Sequence, residues 1–204
     1  WVYSQQLRRP EGAGDDWAGG FRGAALYGVR FDVSGAPSSS CYDTGHIAMT
    51  YTALALLLIL GDDLSGVDRR ATLRHVRQLQ QADGSFRAFN EGESDMRFVY
   101  CAAAICAILK DGGAAGEDLG ECDCAVEWEG MDAPAACAYV IASQAYDGAL
   151  GLGPGAESHG GSTCATPHAH SVAAVRPCTD ARSARALAPL THCAARSSLA
   201  RSAC

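Results

Sequence analysis

QADGSFRAFNEGESDMRFVYCAAAICAIL, residues 81–109, is the stretch whose reading decides the fold. It carries the chain out of one helix and into another. Just upstream, His75 to Gln80 (HVRQLQ) is rich in helix formers, and Val76 and Leu79 fall on one helical face. Asp83-Gly84 is a turn signal, Phe86 an apolar plug, and Ser94 or Asp95 can cap a new helix from Met96 to Leu109.

The same unit recurs on both sides. Trp1 to Gly23 runs from WVYSQQ to GGFRG, and Tyr139 to Gly153 reads YVIASQAYDGALGLG. Each copy is a helix, a Gln, a Gly turn and a bulky apolar residue, and Gly20, Gly84 and Gly148 are spaced by 64 residues in both intervals. After each turn a helix start is marked by His46, Arg97 or His159. Repeated helix pairs predict stacked hairpins whose equivalent ends face one side, where function should lie.

Between the turns, His46 to Leu60 is apolar on nearly all faces and predicts an inner helix with Asp43 and Thr44 as candidate caps. Asp68 to Gln80 is its amphipathic, outer return, and Asp132 with Pro134 opens another outer helix reaching Ser143. Alternating inner and outer helices is what an all-α, α/α barrel requires. Only part of a barrel fits residues 1–163, so apolar inner-helix surface should be left exposed.

Two segments break the pattern. Asp111 to Glu129 holds seven acidic residues and reads as an irregular, solvated insertion, and its Cys122-x-Cys124 lacks a second ligand pair. Residues 164–204 have no Phe, Tyr or Trp and read as a poorly ordered Ala/Arg/Ser tail, in which His168-x-His170, Cys178 and Cys193 are scattered too widely for a zinc cluster. Ala24 to Ser40 reads as a long surface loop.

Charge and apolar content exclude several classes. Residues 1–163 carry 11 basic and 22 acidic side chains, a net −11, which argues against nucleic acid as the main partner. The longest apolar run, Ile47 to Leu60, is 14 residues and too short to span a bilayer. Ten Cys without regular spacing suggest a reduced, intracellular chain rather than a disulfide framework. No Met opens the sequence and Trp1 already lies inside a repeat, so the chain reads as a fragment.

Two places could carry chemistry. In ESHGGST, His159 is followed by Gly160 and Gly161, whose backbone N–H groups could approach an anion at a helix start, or which could simply make a tight turn. Arg97 enters its helix with Tyr100 three residues later on the same face, where a planar guanidinium suits a carboxylate or phosphate. The alternative is an Arg paired with Asp95 or Glu93. A lone His46 at a helix start reads as a structural hydrogen-bonding partner.

YDTGHIAMTYTAL, ILGDDLS, LQQADGSF, ESDMRFVYCAAAICAIL, SQAYDGALGLG and ESHGGST together resemble the β subunit of protein geranylgeranyltransferase type I, of the protein prenyltransferase β-subunit family. The likeness covers residues 1–110 and 130–163. It implies an α/α toroid with an apolar central cavity for a geranylgeranyl chain. It also implies a cytoplasmic heterodimer with a helical α subunit, geranylgeranyl diphosphate as donor, and the Cys of a C-terminal Cys-aliphatic-aliphatic-X tail as acceptor. By the same likeness, His159, Gly160 and Gly161 contact the lipid diphosphate, with His159 as the catalytic candidate. Arg97 then lies near the peptide carboxylate and lipid, and Tyr100 forms a lipid wall.

The family also implies zinc, with magnesium as a further ion. Zinc is held there by an Asp-x-Cys motif before Tyr-Ser-Phe-Trp and by a distant His, none of which this sequence contains. No metal ligand is therefore assigned, and the chain is expected to be inactive as it stands, or to be a partial toroid that only binds prenyl diphosphate or an α subunit. The break after Thr163 reads as a mis-spliced or frame-shifted gene model. A terpene cyclase would need an acidic centre, and only Gly61-Asp62-Asp63-Leu64, at a helix exit, comes near.

Overall fold

The computed structural model describes residues 1–9, 12, 14, 17–24, 44–110 and 130–164. They form a short 3-10 helix, Val2–Gln5, and four α-helices: α1 (Ile47–Ile59), α2 (Arg69–Leu79), α3 (Met96–Lys110) and α4 (Ala133–Ala142). A further helical turn covers 160–164. Among the described residues the only β-type pairings are isolated bridges. The loop expected after Ala24, the insertion and its Cys122-x-Cys124, and the tail with His168, His170, Cys178 and Cys193 lie outside the described residues.

Local chemistry sets the helix boundaries. The Asp68 and Asp132 carboxylates accept from Ala71 N and Ala135 N, both at 3.0 Å, and so cap α2 and α4. Asp95 accepts from Arg97 N at 2.8 Å at the start of α3. At α1 the cap is His46, whose Nδ1 accepts from Ala48 N at 3.2 Å, rather than Thr44, while Asp43 lies outside the described residues. The helix expected at the start of the first unit is only the four-residue 3-10 turn.

Packing follows the inner and outer assignment. α1 lies against α3, α2 also packs on α3, and the 3-10 helix packs on α1. α3 is buried along its length, from Met96 and Phe98 through Ile105 to Leu109. α1 buries Ile47, Ala53, Leu54 and Leu57 but leaves Met49, Leu56, Leu58 and Ile59 exposed. Apolar surface of the inner helix α1 is therefore exposed.

The repeat is reproduced bond for bond. In the second unit Gln81 N donates to Ser85 O (2.8 Å), Gly84 N to Gln81 O (3.0 Å) and Arg87 N to Leu79 O (3.0 Å). In the third, 64 residues on, Ala145 N donates to Ala149 O (2.8 Å), Gly148 N to Ala145 O (3.0 Å) and Gly151 N to Ser143 O (3.0 Å). Gly84 and Gly148 adopt φ of +88° and +83°, a left-handed conformation that favours glycine. Phe86 and Leu150, two residues later, are fully buried plugs.

The first unit corrects the sequence register. Its equivalent bonds are Leu7 N to Gly20 O (2.9 Å) and Arg22 N to Gln5 O (3.0 Å), which put Gly20 where Ser85 and Ala149 stand. Gly20 is not left-handed, and its plug, Phe21, follows it directly. The constant 64-residue spacing to Gly20 was thus one position off. The bridges Gln6–Phe21 and Gln80–Phe86 explain it, since the first turn is longer by nine residues.

A glutamine ties consecutive units together. The Gln80 amide donates to Asp132 O (2.9 Å) and accepts from Asp132 N (2.7 Å), fixing the residue that caps α4. The Gln6 amide, oriented by its partners, donates to Gly66 O (3.1 Å) and accepts from Asp68 N (2.7 Å), the cap of α2. Two side-chain amides therefore each hold the next outer helix by its N-cap.

Candidate functional site

The helix starts that carry the marked residues are hung on the turns of neighbouring units. Ile47 N donates to Ala88 O (2.9 Å), and its repeat equivalent Met96 N donates to Leu152 O (2.9 Å). His159 N in turn donates to Leu150 O (2.9 Å), as His46 N does to Phe21 O (3.1 Å). Leu150 to Leu152 thus anchors both the start of α3, with Arg97, and the start of the 160–164 turn, with His159. Thr163 Oγ1, which accepts from Leu150 N at 3.1 Å, closes the same junction.

His159 is exposed and serves as the cap of this last turn. Its Nδ1 accepts from Ser162 N at 3.4 Å, and its carbonyl accepts from Thr163 N at 3.0 Å. With Nδ1 used as an acceptor, a neutral ring carries its proton on Nε2. Gly160 and Gly161 are the first residues of the turn rather than a loop, and a Cβ added at Gly160 would meet nothing within 4 Å. First-turn N–H groups lack intrahelical acceptors, so this end offers donors of one polarity.

Arg97 is paired, in keeping with the alternative weighed for it. Its Nε donates to both Asp95 oxygens (3.0 and 2.9 Å), its Nη2 to Asp95 Oδ2, and Nη2 also to Glu93 Oε1 at 3.3 Å. These carboxylates, Asp95 first, raise the guanidinium pKa further. The guanidinium also stands 5.3 Å from the centre of the Phe98 ring.

Tyr100 is half-buried. Its hydroxyl meets that of Tyr51 at 2.9 Å, with the rings edge to face at 5.4 Å. That hydrogen bond, with burial, pushes the Tyr100 phenol up to about 12, so it remains protonated. Tyr51 escaped sequence reasoning although a signal existed, since Tyr51 and Tyr100 each lie four residues after the equivalent positions Ile47 and Met96.

His75 also escaped it. It is a buried imidazole lying against Gly45 and Gly20, where a Cβ would come within 2.7 Å and 3.0 Å of its ring. Its Nε2 makes no hydrogen bond of good geometry, and burial lowers its pKa from 6.5 to about 4, partly offset by the Gly45 backbone.

The implied zinc finds no support in this geometry. Among the described residues no group of three or more His, Cys, Asp or Glu side chains is placed to hold a metal ion. Cys101 and Cys106, which burial pushes up to about 12, are packing residues of α3.

The model of the prenyltransferase α/α toroid domain matches residues 1–196. The chain belongs to the prenyltransferase α/α toroid family. The match runs through 111–129 and well into the tail. The toroid is similar to the geranylgeranyl transferase type-1 subunit β of Arabidopsis thaliana, 45% identical over 60% of this chain and 28% of that protein. It is also similar to the same subunit of Dictyostelium discoideum, 34% identical over 80% of this chain and 44% of that protein. A protein farnesyltransferase subunit β of Pyricularia oryzae is 35% identical over 62% of this chain and 25% of that protein. The chain thus spans less than half the length of these relatives. No helix among the described residues is long and apolar enough to cross a membrane.

Proposed function

We propose that this toroid segment belongs to the β subunit of a cytoplasmic, heterodimeric protein prenyltransferase. The donor is geranylgeranyl diphosphate and the acceptor the Cys of a C-terminal Cys-aliphatic-aliphatic-X tail, in line with the geranylgeranyl transferase subunits among the relatives. The observation that carries the reading is the junction at Leu150 to Leu152, from which the starts of both α3 and the 160–164 turn are hung. Gly160 and Gly161 N–H groups and the His159 Nε2–H are donors suited to diphosphate oxygens, and they stabilise negative charge as the C–O bond to the leaving diphosphate breaks. Tyr100, protonated and backed by Tyr51, offers a flat wall to the isoprenoid.

In the family, zinc supplies the acidity that turns the acceptor thiol into a thiolate. The residues described here do not fit such an ion, and no magnesium ligand is assigned either. A second reading is a binding-only role, in which the chain takes up prenyl diphosphate, or an α subunit, without transfer.

The test is a titration of the chain, co-purified with a prenyltransferase α subunit, with geranylgeranyl diphosphate, followed by a transfer assay. Binding weakened about tenfold or more by His159→Ala, with no transfer, is the expected result. Stoichiometric zinc and turnover would refute the binding-only role, and no affinity for the diphosphate would refute the site.

A further inference from the structure

α2 carries its charge against its own stability. Its sequence, RRATLRHVRQL, holds four Arg and no acid. Arg70, Arg74 and Arg77 are spaced four and three residues apart and fall on one side of the helix, so they repel one another along a row of about 10 Å. Arg69 and Arg70 stand in the first turn, at the positive end of the helix dipole, where a cation is disfavoured. No acid offsets this. Arg70 and Arg77 are exposed and form no ion pair or hydrogen bond among the described residues, Arg74 donates to Trp17 O at 3.0 Å, and Asp68 is engaged in the α2 cap.

The basic face continues beyond both ends of the row. Arg87 is exposed where its N–H meets Leu79 O (3.0 Å) at the end of α2. Arg8 and Arg9, both exposed, follow Leu7, whose N–H meets Gly20 O (2.9 Å) next to the bond from Gly19 N to Ala71 O (3.1 Å). The other outer helix, α4, reads APAACAYVIA and has no charged residue. A basic outer face is thus particular to α2, within residues 1–163 whose net charge is −11.

We infer that the outer face of α2 docks the protein on an anionic lipid bilayer. The exposed positions of α2 are Arg70, Arg77 and Gln78. A protein interface draws its affinity from aromatic or aliphatic anchors seated in pockets, and α2 exposes neither kind of side chain. Headgroup phosphates and carboxylates ask only for dense positive charge, which a row of guanidiniums meets with paired N–H donors and without a pocket. A bilayer, unlike a nucleic acid duplex, can gather its anionic lipids under the basic face and leave neutral ones beneath the acidic remainder.

The test is co-sedimentation of the 204-residue chain with vesicles of equimolar phosphatidylcholine and phosphatidylserine, and with vesicles of phosphatidylcholine alone. The parent should bind the mixed vesicles only, and release them as salt rises. Arg70→Gln combined with Arg77→Gln should bind about tenfold more weakly or worse, at about fivefold per cation, while Arg70→Lys combined with Arg77→Lys keeps most of the binding. The melting midpoint of the Gln variant should be unchanged or higher, since repulsion along α2 is relieved. A parent that leaves the mixed vesicles unbound overturns the inference, as does equal binding by the Gln variant and the parent, or equal binding to the neutral vesicles. A parent that ignores the vesicles but binds duplex DNA or polyglutamate through the same two Arg also overturns it, and gives the face to another polyanion. No vesicle holds a prenyl diphosphate, so each of these failures leaves the functional reading above intact.

Discussion

Gly84 and Gly148 turn the chain with the same hydrogen bonds and the same left-handed φ, yet their surroundings differ. A Cβ at Gly84 would stand 2.0 Å from Ala135 O in α4, whereas one at Gly148 would meet nothing within 4 Å. Gln80 reaches into the next unit to hold Asp132, while Gln144 bonds back to its own Gly148 carbonyl at 3.0 Å. The residues after the turns diverge likewise, with Arg97 clamped by acids and His159 exposed beside two uncovered glycines. The turn of the second unit is covered by the start of α4, and its Gln80 is spent on holding that helix. In the third unit the turn glycine itself is uncovered, and His159, Gly160 and Gly161 are exposed.

The sharpest way to break this contrast is to add one methyl group to each turn. Gly84→Ala combines a left-handed φ with a backbone collision and should cost roughly 3–5 kcal/mol in urea unfolding. Gly148→Ala carries only the conformational part, about 1 kcal/mol. Equal losses would show that the two turns are packed alike.

Acid acts on the buried His75. The unfolded chain takes up a proton on residue 75 near pH 6.5 and the native one only near 4, because burial disfavours the imidazolium. Stability should be full above about pH 6.5 and fall by up to about 3 kcal/mol as pH drops toward 4. His75→Gln should flatten that part of the pH profile of the urea midpoint.

Smaller effects follow from the glutamines and the cap. Gln80→Ala removes two bonds to the α4 cap residue and should cost about 1–2 kcal/mol, against about 0.5 kcal/mol for Gln144→Ala, both read by thermal melting. His159→Ala should cost less than about 1 kcal/mol of stability, since it removes one long cap bond at an exposed turn. A larger loss would make His159 a structural residue first.

The sequence made the helices legible because their signals are local. Asp68, Asp95 and Asp132 stand where caps belong, and α1 and α3 are apolar all round as inner helices must be. The first unit was misread because a nine-residue difference in turn length falls where Gly19 and Gly20 both offer a match, and only backbone pairing separates them. His75 and Tyr51 were not legible as site neighbours, since their meaning depends on partners 30 to 55 residues away. Arg97 was half legible: residue type and spacing allowed both an internal ion pair and a ligand contact, and only the geometry shows the pair with Asp95 and Glu93 formed.

The central claim is that the start of the 160–164 turn receives the diphosphate of a prenyl donor. An amide-resolved NMR titration of the isotopically labelled chain with geranylgeranyl diphosphate addresses it directly. Saturable shifts centred on the Gly160 and Gly161 N–H signals, absent in His159→Ala, are the predicted outcome. Saturable shifts that fall elsewhere and leave those two glycines unmoved would contradict it.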